Sequence, residues 1–473
     1  MSDVLARLAR MQAADVPVTG GRTLAYVYDS GIEEADRVGR AAVAAYAGSN
    51  GLDPTAFPSL LEMENDVVGF GLDMIGAPAE AVGTVTSGGT ESVLLAVQGA
   101  RDADPRQHPN MVLPSTAHAA FHKAAHYFGV EARVAPVRPD HRADVDAMAA
   151  LVDADTVLVV GSAPSYAHGV IDPITELAAL ASSHGIRCHV DACIGGFVLP
   201  FARRLGRPVA PWTFDVPGVS SISLDLHKYA YAPKGTSLLL HRNPQVRRPQ
   251  IFATADWPGY TVVNPTMQST KSGGPLAGAW AVINTIGDEG YLRLAETTFA
   301  GVDLIVDTVN ALPALRLVAA PDSTLVAFET DATCDVFTIA DLMHDADWWV
   351  QAQLSYGGSP ANLHLTLSAA TDAAAFTAAL RGAVTAAVER GPIVIEPGIV
   401  DFVRALDPAA LSDADFDGLL DAVGMSGGEH IGLPEQMGPI NALLDLATPA
   451  MRQALLTVFI DRLLRARRVG STT

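Results

Sequence analysis

Short apolar runs alternate with stretches of helical period through much of the first half of the chain. The apolar runs are rich in Val, Ile and Leu and predict the strands VGTVTS, NMVLPST, EARVAPV, TVLVVGSAP, IRCHVDA and SSISLDL. Between the first five lie ESVLLAVQGARD, AFHKAAHYFG, DVDAMAALVD and PITELAALASSHG, whose apolar residues have the spacing of an amphipathic helix. This alternation predicts an α/β fold with a mostly parallel sheet flanked by helices, in which ligands bind where strands end and helices begin.

The pattern changes before and after this region, and we expect four segments. Residues 1–60 predict an N-terminal helical arm, and residues 61–275 form the predicted large α/β domain. Residues 276–395 contain the candidate strands LRLVAA, STLVAFET and NLHLTLS and predict a smaller C-terminal α/β domain. Residues 396–473 predict a helical C-terminal extension.

Composition limits the kind of partner. The chain of 473 residues has a net charge of −21 and no Lys- or Arg-rich run, which disfavours nucleic acid and favours a small molecule. The N-terminus has no signal-peptide cleavage pattern, and no apolar run reaches the roughly 18 residues of a membrane-spanning helix, so we expect no membrane anchor. Three scattered cysteines, none in a CxxC pair, predict a cytoplasmic location.

The first candidate motif is TSGGTES, Thr86 to Ser92, which follows a predicted strand and opens a predicted helix. Glycines allow a tight turn, and the free N–H groups at a helix start favour a phosphate. A turn that serves packing alone is the alternative, because the motif lacks both a P-loop lysine and GxGxxG spacing.

The second motif is HVDACIGGF, His189 to Phe197, which places Asp191 at the end of an apolar strand. This acid could bind a metal, cap the following turn or pair with a cationic ring nitrogen. A simple cap does not explain why a carboxylate stands beside a buried strand, where it is costly without a partner.

The third motif is SLDLHKYAYAPKG, Ser223 to Gly235, in which Lys228 directly follows His227. A buried lysine is a candidate amine for capturing an electrophile, since burial lowers its pKa and frees the neutral nucleophile. A surface lysine is the alternative for this residue taken alone. Together, a phosphate turn, an acid for a ring nitrogen and an imine-forming lysine are the three parts that a pyridoxal phosphate site requires.

The same motifs carry a family resemblance. GTVTSGGTESVLLAVQGARD, HVDACIGGFVLPF and VPGVSSISLDLHKYAYAPKG closely resemble the sphingosine-1-phosphate lyase family, pyridoxal phosphate enzymes related to the group II amino-acid decarboxylases. The continuation HKYAYAPKG is the part that points to the lyases. The resemblance runs from about Tyr28 to the small domain and implies the aminotransferase type I fold, with pyridoxal 5′-phosphate bound by residues 61–275.

The resemblance also implies catalytic roles for the matching residues. Lys228 would hold the cofactor as a Schiff base, and Asp191 would pair with its pyridine nitrogen. The ring of His118, in TAHAAFHKAAHYFG, would stack on the face of the cofactor. Tyr166, in GSAPSYAHG, matches a residue that lines the active site.

Two phosphate groups are implied, one on the cofactor and one on the substrate. Gly89 and Thr90 would bind the cofactor phosphate through the turn, with His227 reaching it from the other side. Tyr28 and Lys234 match residues that serve the phosphate of the substrate in the lyases.

The chain departs from the family pattern on the substrate side. The family commonly reads Leu-His-Pro near the arm, with the histidine helping to bind the substrate phosphate, whereas this chain has Asp53 in LDP. An aspartate there would repel a phosphorylated substrate. In STKSGG, Lys271 stands in place of an expected arginine, which keeps the charge but loses the bidentate geometry.

A row of histidines raises the question of a metal. His118, His122 and His126 have the i, i+4, i+8 spacing that would align them on one helix face. Zinc could use such a face, but it usually also recruits ligands from elsewhere, and no HExxH pattern is present. Because the resemblance already gives His118 a role at the cofactor, we expect no metal.

The resemblance implies a carbon–carbon lyase that cleaves a 2-amino-3-hydroxy substrate, such as a long-chain base phosphate, to an aldehyde and an amine by retro-aldol chemistry. The alternative on the same scaffold is an L-amino-acid decarboxylase. A transaminase is disfavoured because SPANLHLTLS lacks the arginine expected for a substrate carboxylate, and a catalytically silent scaffold is disfavoured by the intact motifs. The family also implies a homodimer with shared active sites.

Overall fold

The computed structural model describes residues 2–422 and 436–466. Its α-helices are α1 Ser2–Gln12, α2 Glu33–Ala45, α3 Pro58–Met74, α4 Gly89–Ala103, α5 Ala120–Phe128, α6 Val145–Ala149, α7 Ile174–Ser183, α8 Leu199–Arg204, α9 Pro244–Arg247, α10 Gly273–Ala311, α11 Val336–Asp345, α12 Ala373–Arg390, α13 Pro397–Ala405, α14 Asp413–Ala422, α15 Gly438–Leu446 and α16 Pro449–Leu463. Its strands are β1 Val82–Thr86, β2 Asn110–Pro114, β3 Glu131–Ala135, β4 Thr156–Ser162, β5 Arg187–Asp191, β6 Val219–Leu224, β7 Ser237–His241, β8 Phe252–Thr254, β9 Val262–Asn264, β10 Leu315–Leu317, β11 Leu325–Thr330, β12 Gln351–Gln353 and β13 Asn362–Thr366. Short 3-10 helices lie at Gly195–Phe197 and Arg248–Gln250.

The central sheet has seven strands in the order β1-β7-β6-β5-β4-β2-β3. Strands β3, β2, β4, β5 and β6 pair in parallel, while β7 is antiparallel to both β1 and β6. The predicted mostly parallel sheet flanked by helices is therefore confirmed. The apolar pattern does not predict β7, whose short continuous apolar run has no alternation that would identify a strand.

The carboxyl ends of the parallel strands meet at one edge of this sheet and carry the candidate motifs. Ser162 at the end of β4 pairs with Asp191 at the end of β5, which pairs with Ser223 on β6. Because β1 and β6 both run antiparallel to β7, β1 ends at the same edge. The turn after Thr86 therefore lies on the same side of the sheet as Asp191.

Apolar side chains on both faces of the sheet form the core of this part of the molecule. Strands β2, β4 and β7 are buried at every residue, which explains why their sequences are continuous apolar runs. The edge strand β3 instead carries Glu131 and Arg133, whose charged groups lie 3.1 Å apart. Charges of this kind protect an exposed sheet edge from pairing with another chain.

The glycine-rich turn after residue 270 leads into α10. Gly287 interrupts this helix with a φ of 63° and a ψ of 171°. Glycine adopts such a positive φ without the steric cost that a Cβ atom would impose, so the break falls where the sequence tolerates it.

The described chain divides into two compact units. One comprises the residues up to Val306 with Ala319–Ala327 and Thr366–Ala373, and the other comprises Asp307–Val318, Phe328–Leu365 and the residues from Ala374 on. A second sheet has the strand order β10-β11-β13-β12, and it confirms the predicted smaller C-terminal α/β fold. Strand β12, with the sequence QAQ, has no apolar pattern and is not predicted.

Helices α13 to α16 form an apolar core of their own within the second unit. Its buried side chains are Val403, Phe416, Leu419, Leu420, Leu443, Ala447, Met451 and Leu455. Arg462 is buried beside this core and pairs with Asp413 and Asp417. A buried guanidinium needs such partners, because an unpaired charge would be costly there.

Within residues 2–422 and 436–466, no helix combines the length and the apolar character that crossing a membrane requires.

Candidate active site

A cavity of about 400 Å³ opens at the sheet edge where the three motifs end. Its lining residues are Ser87, Gly88, Gly89, Thr90, Glu91, Val93, His118, Ser162, Pro164, Tyr166, Asp191, Cys193, Ile194, Asp225, His227 and Lys228. We call it the cofactor cavity. The structure thus brings together every residue that the sequence predicts around the cofactor, and Tyr166 with them.

The turn between β1 and α4 forms one wall of the cofactor cavity. Thr86 Oγ1 and Ser92 Oγ lie 2.7 Å apart and close the turn on itself. The buried Glu91 accepts the Ser87 N–H at 2.6 Å. A side chain in the first turn of α4 therefore holds the preceding turn in place. A helix start leaves its first N–H groups without intrahelical partners, so this wall is suited to an anion.

Gly89 is tightly enclosed at the base of this turn. A Cβ atom there would lie 2.8 Å from both carboxylate oxygens of Asp225 and 2.8 Å from Sγ of Cys193. Real Cβ contacts are not that short, so any larger residue would displace the turn or the groups below it. The glycine therefore allows the turn to approach the strand ends closely.

Asp191 lies on the floor of the cavity at the end of β5. Its Oδ1 accepts the Cys193 N–H at 3.1 Å and the Ser223 hydroxyl at 3.3 Å. Behind it, the ring of His189 is hydrogen-bonded to Ser221 and Ser223 through its two nitrogens, at 2.8 and 3.2 Å. Burial lowers the pKa of His189 to about 4, so this ring is neutral at neutral pH.

Lys228 lies in the turn that follows β6 and lines the same cavity. Its Nζ is 2.9 Å from Oδ2 of Asp225, a carboxylate with only 2 % of its side chain exposed. Burial alone would lower the pKa of Lys228, but the negative groups around it, Asp225 foremost, together outweigh burial and the pKa is raised. Sequence reasoning missed Asp225, although it follows a buried strand just as Asp191 does.

Two features of the cavity fit pyridoxal phosphate, an unpaired histidine nitrogen and the free N–H groups at a helix start. Within the described part of the chain, Nδ1 of His227 is buried and has no hydrogen-bond partner. It lies beside Gly88, whose Cβ position would be 3.7 Å from the His227 ring. An unpaired ring nitrogen next to free helix N–H groups matches the acceptor oxygens of a phosphate.

His118 and Tyr166 stand at another side of the cavity. Their ring centroids are 6.4 Å apart with the planes nearly perpendicular, and the His118 Nδ1 accepts the Ala120 N–H at 3.1 Å. His118 precedes helix α5, so it does not continue a helix face with His122 and His126 as the spacing suggests. In residues 2–422 and 436–466, no group of three or more potential ligands is placed to hold a metal ion.

Tyr28 and Lys234 line a different cavity, of about 280 Å³. Lys234 Nζ lies 4.9 Å from the centroid of the Tyr28 ring and donates to the carbonyl of Tyr26 at 2.9 Å. It also donates to the carbonyl of His227 at 3.4 Å. The amine therefore ties the N-terminal segment to the loop that carries Lys228.

Asp53 lines a third cavity, of about 490 Å³, together with Glu64 and Lys271. We call it the Asp53 cavity. The exposed Asp53 carboxylate accepts the Thr55 N–H at 2.8 Å and its hydroxyl at 2.6 Å, and these bonds lower the pKa of Asp53. Lys271 Nζ donates to the carbonyl of Val85 at 2.8 Å and lies 3.5 Å from Glu64. The residues predicted for the substrate are thus not gathered in the cofactor cavity of a single chain.

Comparison with known proteins gives the family of the chain. A family model described as "Pyridoxal-dependent decarboxylase conserved domain" matches residues 40–331. The chain is 38 % identical over 362 residues to sphingosine-1-phosphate lyase of Oryza sativa subsp. japonica, covering 74 % of this chain and 67 % of the relative. The chain belongs to the sphingosine-1-phosphate lyase family. Sphingosine-1-phosphate lyase of Arabidopsis thaliana is 41 % identical over 316 residues, 65 % of this chain and 58 % of that protein, so the match spans less than two thirds of its length.

Solved structures of lyase and decarboxylase relatives confirm the fold. Sphingosine-1-phosphate lyase of Burkholderia pseudomallei superposes with a TM-score of 0.77 at 33 % identity, covering 82 % of this chain and 91 % of that one. Glutamate decarboxylase of Lactobacillus brevis, at 22 % identity and a TM-score of 0.72, shares the fold. For a member of the sphingosine-1-phosphate lyase family, the cofactor is pyridoxal phosphate, as the three motifs predict.

The C-terminal helices match a second family model. It is described as "Pyridoxal-dependent enzyme, C-terminal putative HTH domain" and covers residues 397–462. That segment contains no lysine and many aspartates, a charge that opposes the negative phosphates of a nucleic acid.

Proposed function

We propose that this protein is a pyridoxal phosphate-dependent carbon–carbon lyase. It would cleave a 2-amino-3-hydroxy substrate, such as a long-chain base phosphate, to an aldehyde and an amine. The observation that carries the proposal is that Lys228, Asp191, His118 and the Gly89 turn line one cavity in a chain of the sphingosine-1-phosphate lyase family.

The cavity gives each residue a distinct task toward the cofactor. Lys228 would bind it covalently through Nζ, and Asp191 would bind its pyridine nitrogen at the opposite end. Nδ1 of His227 and the N–H groups that follow Gly89 would bind its phosphate, while His118 would cover one face. The bound cofactor supplies an electron sink for the negative charge left on the substrate carbon.

Tyr166 is a proton donor in this arrangement. Burial raises the pKa of Tyr166 to about 12, so its hydroxyl keeps its proton at neutral pH. A protonated phenol can donate a hydrogen bond to a substrate oxygen, and general acid catalysis requires that state.

The alternative activity is decarboxylation of an L-amino acid. It is favoured by the description of the matching family model and by a 33 % identity over 303 residues to a probable L-tyrosine/L-aspartate decarboxylase of Methanothermobacter thermautotrophicus. That match covers 82 % of the relative, more than the lyase of Arabidopsis thaliana.

Two product assays separate these activities. Purified protein reconstituted with pyridoxal phosphate is incubated with a phosphorylated sphingoid base, and the aldehyde is trapped with a hydrazine and identified by mass spectrometry. We expect aldehyde from the wild type and none from Lys228→Ala. Carbon dioxide release from L-tyrosine or L-aspartate without any aldehyde would contradict the lyase and support the decarboxylase.

We also propose a cytoplasmic homodimer in which two chains complete each substrate site. The dimer is supported by the placement of Asp53 and Lys271 outside the cofactor cavity of their own chain. The reducing compartment is supported by Cys188, Cys193 and Cys334, which are all free thiols. Sedimentation equilibrium tests the dimer, and a monomer with full activity would contradict it.

A further inference from the structure

Asp225 lies three residues before Lys228, in the turn that follows β6. Its Oδ2 is 2.9 Å from Lys228 Nζ, and its Oδ1 accepts the Ser237 hydroxyl at 2.6 Å. Ser237 is the first residue of β7 and is fully buried, so the carboxylate is fixed from the neighbouring strand. None of the tasks in the proposed function uses this carboxylate.

The position of Asp225 beneath the Gly89 turn explains why its carboxylate is paired with Lys228. Both of its carboxylate oxygens lie directly beneath Gly89, which belongs to the turn suited to the cofactor phosphate. A buried carboxylate beside an anion site is costly unless a positive group is paired with it. His227 lies farther away, with Nε2 3.7 Å from Oδ2, which leaves the Lys228 ammonium as the nearer of these two partners.

We propose that Asp225 is a positioning residue that binds the Lys228 Nζ as an ammonium whenever Nζ is not bonded to the cofactor. The proposal rests on the proposed function in one respect, that Lys228 is the attachment lysine. The carboxylate returns Nζ to one place beside Oδ2 of Asp225, and it keeps the extra proton on Nζ.

The electrostatics of the pair agree with this geometry. Burial acts to raise the pKa of Asp225, but the charges of Lys228 and His227 lower it, so the carboxylate is ionised at neutral pH. The pKa of Lys228 is raised in return. Covalent capture must therefore break the ion pair between Asp225 and Lys228. Nζ gives its extra proton to solvent, the neutral amine bonds to the aldehyde carbon of the cofactor, and the aldehyde oxygen leaves as water.

The pH dependence of covalent capture tests the proposal. Apoprotein is mixed with pyridoxal phosphate at a series of pH values, quenched with borohydride, and the modified Lys228 peptide is quantified by mass spectrometry. We expect Asp225→Asn to move the midpoint of the capture rate to lower pH by about one unit or more, because the ammonium loses its carboxylate. Asp172→Asn is the matched control, since Asp172 is also a buried carboxylate but accepts the N–H groups of Ala143 and Ser162.

Equal midpoints for Asp225→Asn and the wild type would overturn the proposal. Should Asp225→Asn fail to fold, Ser237→Ala decides. That variant keeps the carboxylate but removes one donor, so the carboxylate should hold the ammonium more tightly and move the midpoint to higher pH. An unchanged midpoint in Ser237→Ala would also overturn the proposal. Capture on a residue other than Lys228 in the wild type would instead contradict the proposed function. The wild-type experiment alone shows this, so the two failures are distinguished before any variant is compared.

Discussion

The cofactor cavity and the Asp53 cavity lie in the same unit of the protein but are built differently. In the cofactor cavity the charged groups are buried and paired: Asp225 binds Lys228, and Asp191 accepts the hydroxyl of Ser223. In the Asp53 cavity, Asp53 is exposed and its carboxylate caps its own turn, while Lys271 is bonded to a backbone carbonyl. The charges of the first site are buried away from water, whereas the Asp53 carboxylate of the second site is exposed.

This difference follows from what each site must do. Stabilising charge that develops in a reaction requires groups already oriented in a water-excluded site. The cofactor is the same in every turnover, so a single chain can hold all of its partners in fixed positions. If two chains complete the substrate site, as we propose, neither chain alone has this requirement. The comparison leads to four predictions.

The largest effect is expected at the floor of the cofactor cavity. Asp191→Ala removes the group placed to bind the pyridine nitrogen, and we expect turnover to fall by about 10³-fold, or about 4 kcal/mol. Covalent capture by Lys228 should persist, because the carboxylate paired with its Nζ is that of Asp225. Steady-state aldehyde formation and borohydride trapping measure the two separately. A loss smaller than tenfold would show that this carboxylate is not part of the electron sink.

The next effect concerns the close approach of the phosphate turn. Gly89→Ala introduces a Cβ atom 2.8 Å from Asp225 and Cys193, and we expect cofactor affinity to fall about 10- to 100-fold, in line with an overpacking cost of about 1–3 kcal/mol. Titration of apoprotein with pyridoxal phosphate measures it. Gly69→Ala is the matched control, since the Cβ position there meets no atom within 4 Å. Unchanged affinity in Gly89→Ala would mean that the turn yields easily and is not preorganised.

The third prediction concerns acid stability and tests the buried support behind Asp191. Burial lowers the pKa of His189 from 6.5 to about 4, so the unfolded chain takes up a proton before the folded chain does as the pH falls. Stability is therefore lost from about pH 6.5 downward and levels off near the folded pKa, by about 1–2 kcal/mol from this residue at pH 5. Urea unfolding at pH 7 and pH 5 measures the difference.

The matching variants isolate the contribution of His189. His189→Gln keeps a hydrogen-bonding side chain but does not titrate, so it should lose less stability between pH 7 and pH 5 than the wild type. His184→Gln, at an exposed position, should show the wild-type loss. If His189→Gln and the wild type lose the same amount, other buried groups such as His168 and His241 govern the acid response.

The two cavities also differ in how far the sequence predicts them. Lys228, Asp191 and Gly89 could be placed in one site because each follows an apolar run, and parallel strands bring their ends to one edge. Asp225 has the same position relative to a strand. One of its hydrogen-bond donors, Ser237, however lies on the unpredicted strand β7. That antiparallel strand contributes a short apolar run with no periodicity of its own, so the local pattern could not reveal the partner.

Long flexible side chains set another limit on sequence reasoning. Lys234 matches a residue that serves a substrate phosphate, but its amine bonds the carbonyls of Tyr26 and His227. The alternation of apolar and polar positions says where a backbone lies and not where a four-carbon side chain ends. The family resemblance implies that His118 lies at the cofactor, and His118 lines the cofactor cavity, whereas the i, i+4, i+8 spacing suggests a helix face that α5 does not extend to.

The smallest effect is expected at Asp53, in the second of the two cavities compared above. Asp53→Asn keeps an acceptor for the Thr55 turn but removes the charge, so the loop should retain its shape. We expect the KM for a phosphorylated substrate to fall about threefold at low salt with kcat unchanged, because the contribution of an exposed charge is small and is screened by ions. The KM for the unphosphorylated substrate should not change. The gain should disappear at high salt, and Asp53→His should enlarge it by adding a positive group.

Equal KM values for wild type and both variants would place Asp53 away from the substrate phosphate. The charge of the substrate would then have to be recognised elsewhere, with Lys234 as the next residue to replace.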